Sequence, residues 1–169
     1  DGKVGKALSF DGVDDYVQVS NSSGQFDLNY YTWSVMVKPT WTLGAPPYNP
    51  TLMALRNTGA TRLSAHIRRA YNYLDLWNGG SVAPFYYSFS QNNWYYIVIV
   101  YSNGTTRVYI NGNLIGSVSY SQGAVTNLPL NIGSSTGNNE WWLGLIDEVR
   151  VYNRALSDAE IKALYEATR

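Results

Sequence analysis

The sequence predicts an all-β protein, an antiparallel β-sandwich finished by one short helix, and three observations carry that prediction. Short runs rich in Val, Ile, Leu, Tyr and Trp recur along the whole chain, each bounded by Gly, Asn, Ser or Pro. The connections at Asn103-Gly104 and Asn111-Gly112 contain Asn-Gly, which supplies the positive φ angles of tight hairpins. Only near the end does the apolar spacing change to a helical period.

The β-like runs fall at 7–10, 16–20, 32–38, 52–56, 62–68, 73–77, 85–89, 94–101, 106–110, 114–119, 130–132 and 144–152. Run 94–101, Trp94 to Tyr101, is apolar or aromatic at successive positions, so both of its faces are to be buried and it reads as a central strand. It is joined to 106–110 across Ser102-Asn103-Gly104-Thr105, and Asn111-Gly112-Asn113 leads into 114–119; the three runs form a meander. Segment 41–50 contains Pro46, Pro47 and Pro50, which cannot donate to a ladder, so it reads as a loop at the sandwich rim. Ser157-Asp158-Ala159-Glu160 forms a capping box ahead of Ile161, Leu164 and Tyr165, the sign of one C-terminal helix. Trp33, Val35, Val37, Trp94, Val98, Val100, Ile110, Ile146, Val149 and Val151 are the expected core.

At 169 residues the chain suits one domain spanning 1–169, read as a piece of a larger secreted protein. Twelve basic and twelve acidic residues cancel, so no net field draws it to nucleic acid or to anionic lipid. Cysteine is absent, which excludes disulfides, thiolate metal sites and cysteine catalysis. No apolar run approaches the roughly 18 residues of a membrane-crossing helix, so membrane insertion is not expected. Asn21-Ser22-Ser23 and Asn103-Gly104-Thr105 match the N-glycosylation acceptor pattern.

Gly5-Lys6-Ala7-Leu8-Ser9-Phe10-Asp11-Gly12-Val13-Asp14-Asp15-Tyr16-Val17 at one end pairs with Gly144-Leu145-Ile146-Asp147-Glu148-Val149-Arg150-Val151-Tyr152-Asn153-Arg154-Ala155-Leu156-Ser157 at the other. Between them lie Thr32-Trp33-Ser34-Val35-Met36-Val37-Lys38-Pro39, Trp94 with its strand, and Tyr109-Ile110-Asn111-Gly112. In this order the motifs resemble the laminin-G-like, concanavalin A-like jelly-roll family over nearly the whole chain. The chain departs from the family pattern at Tyr95 and Tyr96, where histidines usually follow the tryptophan, and at Asn111, where an aspartate is usual. Asparagine before glycine serves the hairpin at least as well. The resemblance implies a jelly roll, but one sandwich hosts many functions.

Three groups of residues are candidates for function. The resemblance implies a structural calcium with Asp147 as its best side-chain ligand and Asp11 or Asp14 beside it; equally, Asp14 and Asp15 serve as turn formers and Asp147 as an acceptor for backbone amides. Strict alternation turns Leu63, Ala65, Ile67, Leu74 and Leu76 inward and sets His66, Arg68, Tyr73, Asp75 and Trp77 on one outward face. There a flat ring can take the C–H face of a sugar while planar polar groups take its hydroxyls. The same pattern equally describes a solvated face on which Arg68 pairs with Asp75 and covers Trp77. Rim aromatics form the third group: Trp41 and Tyr48 in the proline-rich loop, Tyr71, Tyr86, Tyr87, and Trp141-Trp142, of which adjacent residues must face opposite ways; they are either an exposed platform for a glycan or protein partner or a satellite core under the long loop.

Between Asp27 and Glu140 the chain carries one acidic residue, Asp75, so the paired carboxylates of glycoside hydrolysis are not evident. The expectation is a non-catalytic, lectin-like module that binds a neutral glycan or polysaccharide outside the cell or on its surface. A protein-interaction, adhesion or spacer domain with a protein partner is the competing reading, since Tyr and Trp are enriched at both kinds of interface.

Overall fold

The computed structural model describes residues 1–41, 49–135 and 140–168. In order, the elements are β1 (Leu8–Asp11), β2 (Val17–Val19), β3 (Tyr31–Pro39), β4 (Thr51–Arg56), β5 (Thr61–Arg68), β6 (Tyr73–Trp77), β7 (Val82–Phe85), β8 (Tyr95–Ser102), β9 (Thr105–Ile110), β10 (Asn113–Ser119), β11 (Leu130–Ile132), β12 (Leu143–Tyr152) and α1 (Asp158–Thr168). They build two six-stranded antiparallel sheets, ordered β1-β12-β3-β8-β9-β10 and β2-β11-β4-β5-β6-β7. The architecture is the antiparallel jelly-roll sandwich that the sequence predicts.

The local rules hold at the hairpins. Asn103 and Gly104 have φ of 51° and 74°, and Asn111 and Gly112 of 52° and 78°, so each pair forms the two-residue turn that matches strand twist. Asn111 adds a side-chain bond, its Oδ1 accepting from the Tyr96 N–H at 2.9 Å. The strand expected at 85–89 is instead Val82–Phe85 and contains Pro84. It lies at the edge of its sheet, paired only with β6 among the strands, where a missing N–H costs nothing. Phe89 then turns back into the core beside Tyr87 and Tyr95.

The sandwich interior is filled by Trp33, Val35 and Val37 from one sheet and by Leu55, Leu63, Ile67 and Leu76 from the other. Of the expected core, Trp94, Val149 and Val151 are only half-buried, while Val98 and Val100 belong to a second cluster on the far side of the first sheet. There α1 lies over Met36, Tyr96 and Tyr109 with Ile161 and Leu156 beneath it. The helix starts at the anticipated capping box: the Glu160 N–H donates to Ser157 Oγ at 3.3 Å, and the Ser157 N–H to Glu160 Oε2 at 2.9 Å. A sandwich has two outer faces, and α1 covers one of them. The outer face of the second sheet carries the polar side chains.

Just before β12, Trp142 is fully buried and its neighbour Trp141 is half-buried against Tyr16, so the adjacent rings do face different ways. Asn21 is also buried, its Oδ1 accepting from the Phe26 N–H and its Nδ2 donating to Asp27, so a glycan at that nitrogen would break the loop; Asn103 is exposed at its hairpin tip.

The termini correct the expected metal grouping. In the β1–β12 pairing Asp11 sits opposite Leu143, four residues along the strand from Asp147, so the two carboxylates are about 13 Å apart by strand rise and do not converge. Asp147 stands at a bulge where β12 slips against β3 and Glu148 takes a φ of 50°. Its Oδ2 accepts from the Lys3 and Val4 N–H groups at 2.9 and 3.0 Å, and its Oδ1 from the Glu148 N–H at 2.8 Å. Both oxygens are committed to binding the N-terminal segment to the last strand. Asp11, Asp14 and Asp15 do gather, with carboxylate oxygens within 4.8 Å of one another, but on the exposed first turn, where Asp11 and Asp15 also accept from backbone N–H groups. We expect Asp147→Ala to lower the unfolding free energy by about 2–4 kcal/mol. Urea denaturation should give the same loss in calcium and in chelator.

Candidate functional site

The site grows from the pairing of β5 with β6. Their register sets Ser64 opposite Trp77, His66 opposite Asp75 and Arg68 opposite Tyr73, so all six side chains share the outer face, as alternation predicts. The next strand contributes Arg56, and the segment before β12 brings in Glu140. Glu140 is held over the sheet because the Thr51 N–H donates to its carbonyl at 3.1 Å, and Thr51 lies opposite His66.

These groups form a chain of alternating charge. Arg56 Nη1 lies 3.2 Å from Glu140 Oε2, which lies 3.3 Å from His66 Nε2; His66 Nδ1 lies 3.4 Å from Asp75 Oδ1, and Arg68 Nε donates to Asp75 Oδ2. The two contacts to the imidazole are long, so they are better described as ion pairs than as formed hydrogen bonds. Ser64 Oγ approaches His66 Nε2 at 3.0 Å, and Ser135 Oγ bonds to Glu140. Beside this chain a hollow of about 220 Å³ is lined by Asn49, Arg56, His66, Arg68, Trp77, Val82 and Glu140. The Arg56 guanidinium sits 4.5 Å from the centre of the Trp77 ring and shields one face of the indole.

The outward direction of the predicted set is right, but full solvation is not. Asp75 is inaccessible and His66 is 3% exposed, with Glu140 and Arg68 packed against them in the middle of the face. Burial alone pulls the His66 imidazolium down, yet the carboxylates of Asp75 and Glu140 outweigh it and raise its pKa above the ordinary 6.5. For Glu140, burial raises the carboxyl, but His66, Ser135 and Arg56 together hold it below its ordinary 4.5. Arg68 pairs with Asp75 as one reading anticipated, whereas the cation that covers Trp77 is Arg56.

The rim aromatics divide. Trp41 is 3% exposed and packs edge-on against Trp142 with ring centres 4.5 Å apart, so it is a core residue and not a ligand platform. Tyr48 lies outside the described residues. Tyr86 is 76% exposed and contacts Tyr73, with ring centres 5.2 Å apart.

Sequence reasoning missed Arg56 and Glu140. Alternation along β4 puts Arg56 on the outer face, and a lone buried Asp75 signals that other charges must come to it, but no local pattern shows that a segment sixty-five positions further on supplies the second carboxylate.

This geometry describes a polar hollow of about 220 Å³ on the uncovered face of a jelly roll. The profile of the Concanavalin A-like lectin/glucanases superfamily matches residues 11–162, and the chain belongs to that family. No curated protein sequence matches it significantly. Among solved structures it is similar to Domain 4 of AbnA, a GH43 extracellular arabinanase from Geobacillus stearothermophilus, solved in complex with arabinotriose. That match has 23% identity and a TM-score of 0.79, and covers 98% of this chain and 79% of that one. It is similar to Trypanosoma rangeli sialidase in complex with sialic acid at 21% identity and a TM-score of 0.75, covering 96% of this chain but 28% of the sialidase. The binding domain of Paraclostridial Mosquitocidal Protein 1 matches at 18% identity with a TM-score of 0.74, over 99% of this chain and 44% of that one. At these identities the likeness shows the fold.

The two shifted groups make stability depend on pH. A raised His66 contributes stability that is fully present below 6.5 and is lost as pH rises through its folded pKa; a depressed Glu140 contributes stability present above 4.5 and lost as pH falls through its own. Both contributions are intact between 4.5 and 6.5. Denaturant titrations across pH should show a decline above 6.5 that disappears in His66→Gln.

Proposed function

We propose that this domain is a non-catalytic, lectin-like module that binds a neutral glycan in the hollow between Trp77, Arg68 and Glu140. The observation that carries the reading is the hollow itself, which sets an aromatic ring, a guanidinium and a carboxylate around one space of about 220 Å³ on the face that α1 leaves open. Arg68 has its Nε engaged by buried Asp75, which fixes the plane of the guanidinium and directs its remaining N–H groups to sugar hydroxyls. Glu140 accepts from hydroxyls, and the part of Trp77 not covered by Arg56 takes C–H groups.

The electrostatics favour binding over hydrolysis. A glycosidase acid needs a carboxyl whose pKa is raised so that it still carries its proton near neutrality. Glu140 is shifted the other way, and Asp75 is fully buried with His66 between it and Glu140. The related arabinanase domain is described as extracellular and in complex with arabinotriose, which supports both a glycan partner and a secreted or cell-surface setting for this chain. No helix among the described residues is long and apolar enough to cross a membrane.

A calcium ion, in this reading, is a structural adjunct at Asp11, Asp14 and Asp15 and takes no part in binding. Calcium that raises the melting midpoint of the wild type but not of Asp14→Asn assigns the ion there, and an unchanged midpoint removes it. Glycan-array screening, with arabinotriose among the probes, should reveal binding that Trp77→Ala weakens at least about tenfold. Hydrolysis of a bound oligosaccharide that Glu140→Gln abolishes would overturn the non-catalytic assignment.

A further inference from the structure

From the tyrosines at the end of the β5–β6 hairpin we infer that the site extends past the hollow and binds a chain of several neutral sugar units, not a single terminal residue. The inference rests on the function proposed above and adds to it a substrate class.

Tyr71 and Tyr86 are 73% and 76% exposed, the two most exposed large apolar side chains among the described residues. Single exposed rings are ordinary, but exposed rings grouped in one patch mark an interaction surface. Both flank half-buried Tyr73: Tyr71 stacks on it with centres 6.1 Å apart and planes 22° apart, and Tyr86 leans on it at 5.2 Å and 60°. The three rings therefore make one continuous ledge. None of their hydroxyls makes a hydrogen bond to the described residues, so each is left to donate and accept elsewhere.

The ledge continues the hollow. Tyr73 is the strand partner of Arg68, which lines the hollow, and it shares the outer face of β6 with Asp75 and Trp77. Leu74 opposite Phe85 closes the β6–β7 pairing, so Tyr86 follows on the outer side next to Tyr73. From Trp77 to Tyr73 is four residues, about 13 Å at the rise of a strand, which is longer than one sugar ring. A run of flat rings with free hydroxyls, reached from the hollow through Arg68 and bearing no carboxylate of its own, suits an uncharged oligosaccharide lying along β6. Units beyond the first pack on Tyr86 and Tyr71, which stand on either side of half-buried Tyr73.

The test is calorimetric titration of arabinose, arabinotriose and arabinopentaose, with the matching xylose and glucose series, against wild type, Tyr71→Ala, Tyr86→Ala and Trp77→Ala. Because both tyrosines project into solvent, their variants should melt as wild type does. Wild-type affinity is expected to rise about tenfold or more from the monosaccharide to the pentasaccharide. Each tyrosine variant should lose about three- to tenfold on the long chain and nothing on the monosaccharide, while Trp77→Ala weakens both. Wild-type binding that is independent of chain length, or a length dependence that survives in both tyrosine variants, overturns the ledge and leaves the hollow standing. Failure of every sugar to bind wild type overturns the hollow and the ledge together.

Discussion

A carboxylate that water cannot reach has to be matched by charge and hydrogen bonds from the protein, and the organisation of the open face follows from satisfying Asp75. Arg68 and His66 flank it on one sheet. A buried imidazolium then calls for a second anion, and Glu140 fills that place from a distant segment, itself matched by Arg56 and Ser135. Arg56 in turn lies over Trp77. Removing one member leaves its neighbour buried and unmatched, so the five groups act as one unit and their individual contributions are not additive. Rigidity of this kind holds each polar group of the face in a fixed position.

The two outer faces of the sandwich meet water by different means. On one, α1 buries Tyr96, Tyr109 and Met36, an apolar solution. On the other, paired charges and amides occupy the same layer: Gln18 donates to Asn131 at 2.8 Å, and Asn131 to the Arg56 carbonyl at 2.8 Å. An apolar layer is sealed by packing, whereas a layer of satisfied polar groups can remain next to solvent and exchange partners with a ligand.

Most of the framework was legible in the sequence because it rests on local rules. Alternation along 62–68 and 73–77 set the correct face for His66, Arg68, Asp75 and Trp77, Asn-Gly set both hairpins of the meander, and Ser157 with Glu160 set the helix start. The failures are nonlocal or turn on topology. The run expected at 85–89 proved to be the edge strand β7 at Val82–Phe85, and Trp41 read as a rim residue because nothing nearby in sequence reveals its contact with Trp142. Asp147 and Asp11 belong to paired terminal strands, but register and not adjacency decides whether side chains meet. Glu140 is the extreme case, since the backbone bond from Thr51 and the side-chain contacts with Arg56 and His66 that place it all come from segments distant in sequence.

The two-residue turns of the β8–β10 meander also bear on how the molecule assembles. Short loops close at little entropic cost, so the meander and the β5–β6 hairpin are the parts able to form early, whereas β1 against β12 and Glu140 against Arg56 join segments far apart in the chain. His66 and Asp75 thus face each other before their second anion arrives. The charged cluster of the open face is complete only once these distant segments have joined, so the environment of His66 serves as a reporter of the finished native state.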